Sequence, residues 1–444
     1  MNLTRSLRQP LTVPLTIQPA DPIAAANPYL WLSAEDMQAA GGGLAVYRAG
    51  VATIPNRASG SNAGSNATQG TATAQPEALP LIGGQGYGHL PGVVGNFFDR
   101  SVAFGGGSYT IQYSFLPTWE DQPPTGDHLL TLNHEGANRG SLYVYGENLP
   151  ETVWGKIESK DVGGSSVYLS EFYDMSPDSL THVRVIHRAG ASTDFYGSTD
   201  GVSWSLISSK PHTVSSDPFD AVRLGHTLGH AVTHASLWWG ANPAAAPDHD
   251  FDFREADHFG SSPDGLSLNA SGTNPAAIIG RPTLRTDGVD DYMTVALSEP
   301  IGEFSLFAVY KPLGGDAFGR LVSLQKDTNT DNNSTGIIAL GSTDVARIAY
   351  SGSLLMASPT LNGLVLVESR VSAMSQELFV NGVSVGTSTA DLSALSPNKV
   401  NLFGSGVGAN NHAAFVQEII LAPYNVNREA ITAHLLRKYN LPAS

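Results

Sequence analysis

Several short stretches of this chain hold residue types that could do chemistry. Residues 286–292 read TDGVDDY, and Asp287, Asp290 and Asp291 could share a hard cation or a sugar hydroxyl. The same letters spell a tight turn: Asp-Gly reverses a chain, and the Asp pair marks the start of the strand YMTVAL, which is the simpler reading. DFDFRE, residues 250–255, puts Asp250 and Asp252 on one face of a strand. Two carboxylates ~5–5.5 Å apart can cleave a glycoside, one attacking the sugar while the other donates a proton. GVSVG at 382–386 fits the Gly-x-Ser-x-Gly nucleophile elbow, but that elbow must join a strand to a helix, and Ser384 follows an Asn-Gly hairpin turn. His226, His230 and His234 stand four apart and would share a helix face fit for zinc; Gly229 and the flanking strand-like runs point instead to a hairpin with solvated histidines. Asp327, Asn329 and Asp331 alternate like the ligands of a calcium loop. Asn332 and Ile338 occupy the places where an EF-hand needs Gly and Glu, so only a looser calcium loop is expected, the alternative being a polar hairpin tip. Trp119, Trp154 and Trp239 offer aromatic faces on which sugar rings stack. Trp238 and Trp239 are neighbours, so if they lie in a strand one points inward and the other outward.

The elements that must position these residues are legible from composition and repetition. The chain has 444 residues, 47 glycines, 27 prolines and only 14% charged residues, a turn-rich β profile. A net charge of −16 argues against nucleic acid and against an anionic membrane surface. The absence of cysteine excludes disulfides and thiolate metal sites. No apolar run is long enough to span a membrane, and the first residues lack the apolar core of a signal peptide. Pro10, Pro14 and Pro19 impose an extended form on an N-terminal arm, residues 1–25.

The chain is also written twice. YTIQYSFLP at Tyr109 and FSLFAVYKP at Phe304 alternate alike and end in Pro117 and Pro312. HLLTLN answers RLVSLQ, THVRVIHR answers GLVLVESR, and VRLGH answers VNLFG. Asp200-Gly201 and Asn381-Gly382 fall at matching hairpin turns. DFDFRE aligns with LWLSAED at Leu30, so both open their copies. The first copy carries an extra segment around TVWGKIESKDVGGSS, and its Gly-Ser-Asn-Thr tract from Asn56 to Gln75 reads as a surface loop. Short alternating strands with such turns predict sandwiches over 26–240 and 250–444, joined by a linker at 241–249. NREAITAHLLRKYNL predicts a C-terminal helix capped by Asn427, with Ile431, Leu435 and Tyr439 on its apolar stripe.

DGVDDYM, FSLFAVYKP, LFVNGVSVGT and the closing EIILAPYNVNREAITAHLLRKYNL together resemble the concanavalin A-like, laminin-G-type jelly-roll domains of bacteriophage and prophage virion proteins. The likeness covers nearly all of 250–444 and is looser over 26–240. It implies an all-β fold of two tandem jelly-roll β-sandwiches. It further implies a non-enzymatic virion protein, a tail fibre or head decoration assembled in a bacterial cytoplasm. Such a protein would attach to other virion proteins by its arm, bind a surface glycan and form a homo-oligomer. A related carboxylate spacing carries catalysis in sandwich-fold glucanases, so a polysaccharide hydrolase is one alternative, and an inert capsid cement protein is another. Against the hydrolase, Asp250 replaces the first Glu of that spacing and lies in an opening strand rather than at mid-sheet.

Overall fold

A computed structural model describes residues 21–442 apart from 93–95, 118–126, 135–136, 146–155, 161–165, 169–178, 212–217, 226–228, 255, 257, 260–262, 270–275, 316–318, 327–334, 341–344, 348, 351–352, 355–362, 390–395 and 405–410. Trp119, Trp154 and the Asp327, Asn329, Asp331 loop lie outside the described residues, as do residues 1–20 of the arm.

Alternating runs pair into two sandwiches of antiparallel sheets. The first has a front sheet ordered Ser205–Pro211, Ser192–Ser198, Thr181–Arg188, Tyr109–Pro117, Gly229–Trp238, Tyr87–Pro91, Ala277–Ile279, with His249–Asp252 beside Gly229–Trp238. Its back sheet runs Ser166–Tyr168, Lys156–Lys160, Ala137–Tyr145, Asp127–His134, Phe219–Leu224, Phe97–Phe104, Ser267–Asn269. The second repeats the front order with Val383–Thr389, Ser375–Val380, Val365–Val371, Phe304–Gly315, His412–Pro423, Thr283–Asp287, Glu77–Leu79, and Leu30–Ser33 beside His412–Pro423. Behind it lie Thr53–Ile54, Ala67–Thr68, Met293–Ala296, Lys399–Leu402, Arg320–Gln325, Thr335–Leu340 and Val345–Arg347.

The break expected at 241–249 does not part the sandwiches. The strands His249–Asp252, Ser267–Asn269 and Ala277–Ile279 come with or after it, yet they pair within the first sandwich. Leu30–Ser33, Ala67–Thr68 and Glu77–Leu79, expected to open the first, pair within the second. The second sandwich is therefore a host interrupted between Leu79 and Thr283, and the first is a contiguous insert. The two carry matching edge strands at opposite ends of their sequences. The physical reason is that alternation fixes which face of a strand is buried, not which of two similar sheets it joins. The Asn56–Gln75 tract is likewise no mere loop: Ala67 is fully buried in the host core, and the Asn56 side chain accepts from Trp31 N at 2.8 Å and donates to Gly64 O at 2.8 Å.

Leu30, Leu32, Phe304, Leu306, Tyr310, Leu324 and Leu421 belong to the host core. Tyr113, Phe115, Phe195, Phe98 and Phe253 belong to that of the insert. Leu79, Tyr87, Ala231, Ile279 and Phe415 pack where the two bodies meet. Asn427 caps the C-terminal helix Arg428–Lys438, accepting from Ala430 N at 3.1 Å, as its sequence predicts. Among the described residues no helix is long and apolar enough to cross a membrane.

Candidate functional site

The two front sheets differ on their outward faces. In Tyr109–Pro117 the inward residues Tyr109, Ile111, Tyr113 and Phe115 alternate with Thr110, Gln112 and Ser114. The matching host strand is apolar on both sides: Phe304, Leu306 and Ala308 enter the core, while Phe307 and Val309 face the helix.

In the insert the outward residues form two polar rows across five strands. Tyr196, Arg184, Gln112, Ser236 and Asp250 make one; Ser198, His182, Ser114, His234 and Asp252 make the next. Neighbours along and between these rows hold one another. Arg184 Nη2 donates to Gln112 Oε1 at 2.6 Å while its guanidinium lies 4.0 Å from the ring centre of Trp204. Ser114 Oγ and His182 Nδ1 are 2.7 Å apart. His234 Nε2 meets Asp250 Oδ1 at 2.6 Å, and Ser236 Oγ donates to the same oxygen at 2.7 Å. Arg254 clamps Asp252 through Nε at 2.7 Å and Nη2 at 2.5 Å. The carboxylates of Asp250 and Asp252 remain 51% and 35% exposed, so the rows end in groups that a ligand can reach.

At the same places the host has Phe379, Glu368, Phe307, Ile420 and Trp31, then Leu366, Val309, Glu418 and Ser33. Ile431, Leu435 and Tyr439 of the C-terminal helix seal this surface. Its two acids meet the helix: Glu368 Oε2 accepts from Arg428 at 3.0 Å, and Glu418 Oε2 accepts from Lys438 and the Tyr439 hydroxyl at 2.9 and 2.7 Å. Burial pushes Glu368 up to about 7, only partly opposed by Arg428 and Arg370. The folded chain thus holds a proton that the unfolded chain releases near its ordinary value of 4.5, and stability falls as pH rises between those values. Glu368→Gln removes this titration and keeps an acceptor for Arg428. Relative to the parent it should gain up to ~3 kcal/mol between about pH 4 and about pH 8, read from urea unfolding at both.

His234 Nε2 faces both Asp250 and Ser236, so no relay runs from acid through the ring to hydroxyl, as a Ser-His-Asp nucleophile requires. Burial works to raise Asp252, but the Arg254 hydrogen bonds outweigh it and hold the group below the usual carboxylate range. It is therefore poorly suited to act as the general acid of a glycosidase. His182 is held below its ordinary value by burial and by the charges of Arg254 and His234, with Asp200 opposing.

The histidine series divides. A β-bulge between Val232 and His234 turns the strand over. His230 consequently points inward, fully buried, 2.7 Å from the Tyr113 hydroxyl, while His234 joins the outer face. The two do not converge, and they lie in a strand rather than a solvated loop; His226 is outside the described residues. Trp239 does not serve the outer face either: its ring stacks on Phe104 at 4.6 Å, edge-on to His249 at 5.7 Å, against the insert core. Its neighbour Trp238 takes the outward place and donates Nε1–H to Ala245 O at 2.8 Å. Ser384 lies in a hairpin strand after Asn381 and Gly382, both at positive φ, which agrees with the turn reading. Asp287, Asp290 and Asp291 do make a turn, and their oxygens lie within 4.8 Å of one another. Burial and the charge of Asp287 push Asp291 up to about 8.

Sequence reasoning missed Arg184, Gln112, Ser114, His182, Ser236 and Trp204. Part of the signal was present in the repeat: the first copy writes Gln112 and Ser114 where the second writes Phe307 and Val309, whereas only strand register sets His182 in the place of Leu366.

No family model matches the chain, and no curated protein matches it in sequence. Among solved structures it is similar to domains LG4-5 of the mouse laminin alpha1 chain, at 11% identity and TM-score 0.29, covering 79% of this chain and 92% of that one. It is similar to the CBM40 module of Ruminococcus gnavus IT-sialidase, solved bound to alpha2,6 sialyllactose, at 14% identity and TM-score 0.26, covering 30% of this chain and 82% of that one. A Trypanosoma rangeli sialidase gives 11% identity and TM-score 0.28 over 68% of this chain and 69% of its own. Such scores carry no weight for ligand, chemistry or partner. The fold itself is all-β, two sandwiches of antiparallel sheets with a short C-terminal helix on the host.

Proposed function

We propose that this chain is a non-catalytic glycan-binding protein whose ligand surface is the front face of the insert. The observation that carries the reading is the contrast between matched faces: the host face is apolar and sealed by a helix, whereas the insert face is a polar array with reachable ends. Sugar hydroxyls both donate and accept. Arg184, His234, Asp250 and Asp252 supply both functions on one surface, held in place by the buried Gln112 and Ser236, with Trp204 at its side. The host face, covered by its own helix, serves as scaffold.

The expected setting belongs to the same proposal: a phage or prophage virion, with the N-terminal arm as attachment and the sandwiches displayed to solvent. Its support is the motif resemblance and the anionic, charge-poor composition. A glycan array probed with the full chain tests the binding. Arg184→Ala should weaken capture about tenfold or more, the loss of a charge-assisted contact, with the unfolding midpoint little changed. Binding to no surface polymer would favour the cement protein; release of new reducing ends from a bound polymer would favour the hydrolase.

A further inference from the structure

The acid-bearing turn of the host has a twin in the insert. Asp287 and Pro91 hold the same place: Asp287 pairs with Ala413 and Pro91 with Gly229, each next to the residue that faces Pro312 or Pro117. Gly288 and Gly92 follow with φ of +77° and +78°. After Pro91 and Gly92 the sequence of the insert continues Val93-Val94-Gly95, with no acid among them. The left-handed glycine at this place therefore does not require acids, yet the host places three beside it.

Hydrogen bonding accounts for only part of them. Asp287 Oδ1 accepts from Val289 N and Asp291 Oδ2 from Asp287 N, each at 2.7 Å; Asp290 takes no part in these bonds. The guanidinium of Arg285 is turned to Glu77. An independent feature points into the loop from the facing strand. Asn411 is 1% exposed and two residues from Ala413, the partner of Asp287, so its side chain shares the face of Asp287. Its Nδ2 donates to Val289 O, in the middle of the turn, and its Oδ1 is buried and has no donor among the described residues. Three carboxylates and an amide oxygen form an all-oxygen set, the preference of a hard divalent cation and not of zinc or copper.

We propose that Asp287, Asp290, Asp291 and Asn411 bind a calcium-like divalent cation that clamps this turn to the start of strand His412–Pro423. The site lies in the host and does not depend on the glycan reading. Terbium tests it, because Tyr292 adjoins Asp291 and can sensitise the ion's luminescence. The full chain should show tyrosine-excited terbium emission, displaced by calcium, and a calcium-dependent rise in unfolding temperature. Asp290→Asn, which removes no hydrogen bond of the turn, should weaken calcium at least tenfold while unfolding in EDTA at the parent's temperature or above. Absence of emission and of a calcium response in the parent would overturn the proposal. So would an Asp290→Asn chain that keeps the parent's calcium affinity, which would send the ion to another site such as the Asp327, Asn329, Asp331 loop.

Discussion

A fragment spanning residues 84–281 should fold on its own, and one spanning 250–444 should not. The first contains every strand of the insert, from Tyr87–Pro91 to Ala277–Ile279, in one stretch of chain. The second matches a sequence repeat but not a structural body. It lacks Leu30, Leu32, Met37, Val51 and Ile54, all buried in the host core. At ~2 kcal/mol per buried apolar side chain, their absence removes on the order of 10 kcal/mol, comparable with the whole stability margin of a domain. The same fragment also keeps Phe251, Phe253 and Ile278 with no insert core to receive them. Circular dichroism with urea titration of both fragments gives the answer: a cooperative transition for 84–281 and none for 250–444. A cooperative transition for 250–444 would mean that its copy can close without the N-terminal strands.

Glu418→Ala should destabilise the host by ~3–5 kcal/mol, the usual effect of stripping one partner from a buried charged network. Glu418 is 1% exposed and accepts from three groups on two elements: Trp31 Nε1 of the opening strand at 2.6 Å, and Lys438 Nζ and Tyr439 Oη at the helix end at 2.9 and 2.7 Å. Truncation leaves the Tyr439 hydroxyl buried without its acceptor and frees the helix end from the opening strand. Glu418→Gln keeps an acceptor oxygen and should lose markedly less. Chemical denaturation separates the two, and the insert's ligand binding should not change in either. A loss below ~1 kcal/mol in Glu418→Ala would show that apolar packing alone seals the host face.

Much of the fold was legible because its signals are local. Alternation, the Asn-Gly hairpin and the Asn427 cap each act within a few residues, and each appears where the sequence puts it. Partnership between distant strands was not legible. Leu30–Ser33 and His249–Asp252 align in sequence and take equivalent places, but each sits beside the long strand of its own sandwich at opposite ends of that sandwich's sequence. No residue in either strand encodes that choice. The site divides in the same way. Asp250 and Asp252 were found as a pair, since two residues in a strand share a face. Arg184 and Ser236 meet them only through register across four strands. Tryptophan was a poor guide, because adjacency placed Trp239 against Phe104 rather than on the outer face.

The most direct test is photo-crosslinking of the full chain with a diazirine derivative of the glycan it captures, followed by peptide mapping. The account predicts adducts on peptides holding His182–Arg184, Trp204 and Asp250–Arg254, and their loss in Arg184→Ala. Adducts confined to the host sandwich, or undiminished in that variant, would contradict it.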